Sequence, residues 1–367
     1  LDGGSARCSS LTLHATLPLV VAASAREELS VWDYQLKQRI NAFANSNPAG
    51  SRCTSMLILD QAAGSAAAAT SAASSLLVVG SSEGGVRVWR GWAAAGEQQL
   101  MSAWQATDRN PDGARTSEPP TPRDSTMVMC YQAGPTLLGA AGSSGIVRQW
   151  DLAAERCARQ LKLNLDEGHT VRALAADQHS PLLVAGTSDG TTRALDPRLP
   201  QRSCEIAQLA AFATRAPINQ LSMQLSKAPY VALASHLGDI ALWDIRRATA
   251  ATSATAGFLP TAGLAVPSAT QGVPTMHTIT SHRSGLSSLA MHGQLPLVAT
   301  GSRNQFIKLF DISALREAGS TRELSTIRYF DGFLGARIGP VTCLAFHPTK
   351  VLLAVGATDS VLSIYSS

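Results

Sequence analysis

The sequence is poor in the features that most binding and catalytic classes require. Charged residues make up only 15% of the chain, the net charge is +4, and no run of Lys or Arg exceeds the pair Arg246–Arg247. Nucleic-acid binders concentrate basic charge on one face or segment, so nucleic acid is not an expected partner. No apolar stretch approaches the roughly 18 residues of a membrane span. The longest runs, such as PLVVAA at 18–23, are strand-sized. A charged start followed by a long apolar core is missing, so no signal peptide is recognisable. The six cysteines, at 8, 53, 130, 157, 204 and 343, form no CxxC pair, and their spacing suits neither a zinc site nor a dense disulfide framework. Reduced cytosolic thiols are the simplest reading. The eight histidines make no HExxH or other close ligand pair, and no GxxxxGKS or GxxxxGKT loop occurs. No metal and no phosphate-binding cofactor is expected.

What the sequence does contain is a repeat. An apolar–x–apolar–aromatic pattern recurs as LSVWDY (29–34), VRVWR (86–90), VRQWD (147–151), TRALD (192–196), IALWD (240–244), IKLFD (307–311) and LSIYS (362–366). Its anchors are Trp32, Trp89, Trp150, Leu195, Trp243, Phe310 and Tyr365. The two tightest spacings, 150 to 195 and 195 to 243, are close to the ~40–45 residues of a four-stranded propeller blade. The wider spacings need insertions, and these are visible. Residues 60–75 are Ala/Ser-rich, 105–125 are polar with four prolines, and 248–275 are rich in Ala, Thr, Pro and Gly. Such compositions bury too little apolar area to offset chain entropy, and they read as flexible loops.

Alignment on the anchors strengthens the pattern. Nine residues before each stands a small residue: Ala23, Gly80, Ala141, Gly186, Ala234, Gly301 and Gly356. Short apolar runs such as LLVVG and LLAVG lead into these positions, and Gly/Asp turns follow them. An apolar run, a tight turn and an alternating strand make a hairpin. The small residue would let neighbouring sheets approach. A further strand precedes each hairpin, at 8–14, 53–59, 171–177, 218–224, 286–292 and 341–347, with a looser version at 127–133. Cys8 and Cys53 share an apolar slot with Val171, Ile218, Leu286 and Val341, and they read as small buried hydrophobes. RINAFAN (39–45) and STIRYFD (325–331) fit a fourth, outer strand. The expected fold is therefore all-β: one seven-bladed WD-repeat β-propeller over residues 1–367, with long low-complexity loop insertions. Only seven residues precede the first strand and the chain ends just past the third strand of blade seven. The closing strand is therefore expected to be missing, and the natural protein to extend beyond residue 1.

The repeat also accounts for apparent catalytic signals. GxSxG occurs at 80–84 and 186–190. A hydrolase would need it on a strand-to-helix elbow, whereas here both copies fall at one repeat position with a strand after each. His14, His292 and His347 share another slot, at the end of the blade's first strand, which points to a structural hydrogen bond or turn. WD repeats often carry a buried network of His, Ser/Thr, Asp and Trp. Repeat four has His169, Thr187 and Asp189 but Leu195 for Trp, and repeat six has His282 and Ser302 but Asn304 and Phe310. These partial networks must find other partners. No catalytic constellation remains, and the chain reads as a non-enzyme.

The segments TIRYFDGFLGARIGPVTCLAFHP (326–348) and LAVGATDSVLSIY (353–365) closely resemble the C-terminal end of the raptor family, regulatory scaffolds of TOR complex one. LSVWDYQLKQRINAF (29–43), NSNPAGSRCTSM (45–56), VRVWRGWA (86–93) and MSAWQA (101–106) agree. FDGFLGARIG is the most specific piece, because nothing in the propeller repeat demands it. The resemblance implies a C-terminal propeller, with caspase-like and helical-solenoid regions upstream. It implies an adaptor of a nutrient-responsive kinase that promotes growth and restrains autophagy. The implied partners are TOR kinase and its complex subunits, in the cytoplasm or recruited to the lysosome or vacuole surface within a complex. The alternative is a generic WD adaptor, such as a ubiquitin-ligase substrate receptor.

One loop stands out as a contact candidate. At 331–339, Phe333 and Leu334 lie between glycines with Arg337 beside them. Two large apolar groups there are either a docking anchor or a plug against blade six or seven. Trp92 and Trp104 flank the second insertion and either pack at an edge or meet a partner.

Overall fold

The computed structural model describes residues 7–25, 27–48, 50–60, 75–108, 127–166, 168–178, 180–212, 214–224, 230–235, 237–245, 276–283, 285–315, 321–328, 339–359 and 362–366. Of the expected insertions, 248–275 lies wholly outside these residues. Only Asp60, Ser75 and 105–108 of the other two are described, with Asp60, Ser75 and Gln105 at strand ends.

The described chain forms seven antiparallel sheets, each made of consecutive strands. Blade one holds β1 (Cys8–Leu13), β2 (Leu19–Ser24), β3 (Glu28–Asp33) and β4 (Gln38–Ala44). Blade two holds β5 (Cys53–Asp60), β6 (Ser75–Ser81), β7 (Gly85–Arg90) and β8 (Gln99–Gln105). Blade three holds β9 (Val128–Gln132), β10 (Leu137–Ala141), β11 (Ile146–Asp151) and β12 (Arg156–Lys162). Blade four holds β13 (Val171–Ala176), β14 (Leu183–Thr187), β15 (Thr191–Leu195) and β16 (Glu205–Ala210). Blade five holds β17 (Ile218–Met223), β18 (Tyr230–Ser235), β19 (Asp239–Asp244) and β20 (Met276–Thr280). Blade six holds β21 (Leu286–Met291), β22 (Leu297–Ser302), β23 (Phe306–Asp311) and β24 (Arg322–Arg328). Blade seven has three strands among the described residues, β25 (Val341–Phe346), β26 (Leu352–Ala357) and β27 (Leu362–Ser366). The first strand of each blade adjoins the first strand of the next, and β25 meets β1, so the sheets close into a ring. This is the seven-bladed β-propeller read from the repeat, and every anchor from Trp32 to Tyr365 lies on the third strand of its blade.

Burial explains the strand order. A second strand faces a neighbouring blade on each side, so both its faces are apolar. β14 (LVAGT) and β26 (LLAVGA) are buried at every residue. Fourth strands lie outermost and are polar, as in β12 (RCARQLK) and β24 (RELSTIR). Charge along such an edge discourages further strand pairing.

The core is therefore a set of seams between blades. Leu29, Val31 and Phe43 meet Leu77, Val79 and Trp92 between blades one and two. Val184 and Ala194 meet Ile218, Val231 and Trp243 between blades four and five. Each fully buried Leu, Ile or Val contributes about 1.5–3 kcal/mol. The small residues in the second strands set the seam distance. A Cβ added to Gly186 would stand 2.6 Å from Ile218 Cγ2 of the next blade, and one on Gly301 would stand 2.6 Å from Val341 Cγ1. Both glycines admit side chains of the neighbouring first strand, as the alignment implied.

The hairpin turns repeat as well. Five residues before the anchor the backbone is left-handed at Glu27, Gly84, Gly190, Gly238 and Gln305, with φ between 66° and 105°. Glycine reaches that region at no steric cost, whereas Glu27 and Gln305 are strained there. Six of the seven first strands begin with a β-bulge, for instance between Cys53 and Ser55; β9 pairs without one. That is why the third copy looked looser in the sequence.

Candidate functional site

The ends of the first strands form a polar belt that ties blade to blade. His14, His292 and His347 are buried just past β1, β21 and β25. In each, Nδ1 accepts two backbone N–H groups of the following turn. The donors are Thr16 and Leu17 to His14, Gln294 and Leu295 to His292, and Thr349 and Lys350 to His347, all at 3.1–3.2 Å. The proton then sits on Nε2, which in His14 and His292 faces the next blade. His292 Nε2 donates to Lys350 O at 3.1 Å, and His14 Nε2 lies 3.4 Å from Asp60 Oδ1. In the same slot, Gln132 Nε2 donates to Ser180 O at 3.3 Å and Gln224 Nε2 to Leu295 O at 3.0 Å. The shared slot is thus a turn-holding hydrogen bond, as read, and it also links blades. Burial lowers the pKa of His14, and burial together with nearby cations lowers that of His347 to about 4.

The two partial WD networks do find other partners. In blade four, Thr187 Oγ1 bonds Asp189 Oδ1, which also accepts from Thr191 N at 2.8 Å. Arg193, buried in β15, lies 3.5 Å from Asp189 and 2.9 Å from Glu205. His169 meets Ser188 Oγ at 3.2 Å instead of Thr187. In blade six, His282 Nε2 pairs with Thr300 Oγ1 at 2.9 Å, not with Ser302. The pattern of one-letter codes pointed two residues too far along the strand.

The tryptophans are structural. Trp89 Nε1 donates to Asn45 Oδ1 of blade one at 2.8 Å, and Trp150 Nε1 donates to Ala106 O of blade two at 3.2 Å. Trp92 is fully buried, its Nε1 donating to Ser75 O at 3.2 Å, so it packs within the ring. Trp104 is half-buried against Trp150, their rings 5.9 Å apart. The two GxSxG serines occupy hairpin turns with a strand after each. Ser82 Oγ accepts from Arg52 N at 3.1 Å, and Ser188 Oγ accepts from Thr170 N at 2.9 Å. One structural job, repeated, explains both.

Phe333, Leu334 and Arg337 fall outside the described residues. Their segment leaves blade six at Arg328, the end of β24, and rejoins described structure at Gly339, whose N–H donates to Asp359 Oδ2 at 2.5 Å.

A recess that the sequence did not reveal opens beside Arg328. It has a volume of about 510 Å³ and is lined by Thr280, Ser281, His282, Arg283, Lys308 and Arg328, among others. Glu323 reaches Lys308 Nζ at 2.9 Å, and Arg328 lies over the Phe306 ring at 5.9 Å. Burial and the nearby Lys308 cation lower the His282 pKa to about 4. The three cations come from three separate segments, so no run of charge marks them in the sequence. Chemically, the recess suits an acidic group. Among the described residues no group of three His, Cys, Asp or Glu side chains could hold a metal, and no helix is long and apolar enough to cross a membrane.

Comparison with known proteins agrees with the fold. The family model "WD domain, G-beta repeat" matches residues 159–194, 274–311 and 332–366. The chain is 30% identical over 98% of its length to the protein raptor homolog of Dictyostelium discoideum, of which it covers 20%. It is 32% identical over 96% of its length to the regulatory-associated protein of TOR 1 of Arabidopsis thaliana, covering 22% of that protein. It is 26% identical over 97% of its length to the target of rapamycin complex 1 subunit mip1 of Schizosaccharomyces pombe, covering 23%. The chain thus spans about a fifth of the length of the curated relatives it matches. The crystal structure of Chaetomium thermophilum Raptor superposes with a TM-score of 0.76 at 24% identity, over 99% of this chain and 28% of that one, a likeness of fold. Over nearly its whole length the chain is similar to proteins named as raptor homologues, and it folds as a seven-bladed WD-repeat β-propeller.

Proposed function

We propose that the chain is a non-catalytic scaffold module of TOR complex one. In this reading it supports assembly of a nutrient-responsive kinase complex that promotes growth and restrains autophagy. The observation that carries the reading is similarity along almost the whole chain to proteins named as raptor homologues and as target of rapamycin complex 1 subunits. The architecture supports it. Serines and histidines that could suggest chemistry are occupied in turns and seams, while loops and outer strands offer surface for proteins. Its partners in this reading are TOR kinase and the other subunits of the complex, met in the cytoplasm or at a lysosomal or vacuolar surface.

The contact point we favour is the 331–339 loop, with Phe333 and Leu334 as apolar anchors and Arg337 beside them. The test is affinity purification of the full protein from its own cells. TOR kinase and its small propeller subunit should co-purify; their clean absence, or ubiquitin-ligase subunits in their place, overturns the reading. Phe333→Ala should weaken that association with an unchanged melting temperature. A large drop in stability would instead make the loop a plug.

A further inference from the structure

The seam between blade seven and blade one brings together two thiols 335 residues apart in the chain. Cys8 opens β1, Cys343 lies in β25, and their Sγ atoms stand 3.4 Å apart. Both side chains are buried in the seam that also packs Leu11, Val20 and Trp32 against Leu352, Ala354 and Leu362. The room for two sulfurs comes from Gly356 on β26. A Cβ there would lie 2.6 Å from Cys343 Sγ and 2.8 Å from Cys8 Sγ. The other four thiols face different groups: Cys53 meets Asn47, Cys130 the backbone of Gly139, Cys157 the carbonyl of Arg159, and Cys204 that of Gln201. The paired thiols also sit where the described ring is joined without a fourth strand in blade seven. Across this seam the described residues also place Thr349 Oγ1 3.5 Å from Ala15 O, to which it donates.

The two sulfurs are not equivalent. The hydrogen bond from Cys8 holds Cys343 below the ordinary thiol value, while the same bond and burial raise Cys8 well above it. Thiolate character makes a cysteine the nucleophile toward peroxide, and a neighbouring thiol resolves the product.

We propose that Cys8 and Cys343 form an oxidation site at which hydrogen peroxide closes the ring with a disulfide across this seam. The Cys343 thiolate attacks one peroxide oxygen, the O–O bond breaks, and hydroxide leaves and is protonated to water. Cys343 is then a sulfenic acid. The Cys8 sulfur attacks it, gives up its proton, and displaces the sulfenic oxygen as a second water. Two thiols are oxidised and one peroxide is reduced to two waters. The sulfurs must close from 3.4 Å to the ~2 Å of a disulfide, with no side chain at position 356 in the way. A thiol reductant reverses the step by exchange.

The test uses the purified protein treated with hydrogen peroxide. Free thiols are then blocked with N-ethylmaleimide under denaturing conditions, and the protein is digested without reduction for mass spectrometry. The peptides carrying Cys8 and Cys343 should appear as one linked species that dithiothreitol separates. The melting temperature should rise on oxidation and return on reduction. In Cys8→Ser, Cys343 should accumulate as a dimedone-reactive sulfenic acid with no rise in melting temperature. The proposal is overturned if Cys8 and Cys343 are recovered as separate maleimide adducts at peroxide doses that oxidise Cys157. It is overturned equally if each is found linked to some other cysteine. The wild-type peptide map decides the matter even where a serine variant fails to fold.

Discussion

Trp89 shows how one residue's partner can come from a neighbouring sheet. Its indole N–H is buried and donates to Asn45 Oδ1, and Asn45 itself is fully buried after β4. Asn45→Ala should strand that donor and cost about 1–3 kcal/mol, read from urea denaturation; a change of a few tenths would count against the bond. The buried histidines give a second residue-scale expectation. His282 and His347 titrate near 4, against 6.5 for an ordinary histidine, so both are neutral in the folded ring. The unfolded chain takes up their protons first as pH falls. Their contribution is therefore whole above about 6.5 and is lost between there and about 4. A melting temperature that stays level across that window would contradict their burial. Such roles were legible where a slot recurs, as for His14, His292 and His347. They were not legible where the partner lies off the repeat. His282 was matched with Ser302 by analogy, yet strand geometry sets Thr300 against it.

At the scale of elements, the second strands control the seams. Gly301→Ala would push a Cβ to 2.6 Å from Val341 Cγ1. Overpacking of this kind costs about 1–3 kcal/mol, and the loss should be larger than for an alanine on an exposed fourth strand. The turns offer the opposite change. Gln305 holds φ +66° where three other blades use glycine, so Gln305→Gly should gain roughly 0.5–1 kcal/mol in thermal unfolding; a loss would show that its side chain supports the turn. First, second and third strands were readable because burial on one or both faces dictates their letters. Fourth strands were mostly not. β12 and β16 carry sequences such as RCARQLK and EIAQLA, and solvent on the outer side leaves little period to detect. Blade three's first strand was hard to align because it lacks the bulge that the other six share.

At the scale of the whole molecule, stability is distributed over the seams of a ring. No sequence spacing shows which thiols meet where the ring joins, or that Arg283, Lys308 and Arg328 converge on one recess. Those features depend on closure, which local patterns do not encode. The same closure brings side chains from distant segments together on one ring, as the proposed scaffold role requires. The most direct measurement is a density map of the full protein within the assembly purified from its own cells, at a resolution that separates strands. The account expects seven radial sheets over this chain, with Trp89 and Gly186 on seams and another protein subunit against the ring. A different number of sheets, or a ring untouched by any other subunit, would contradict it.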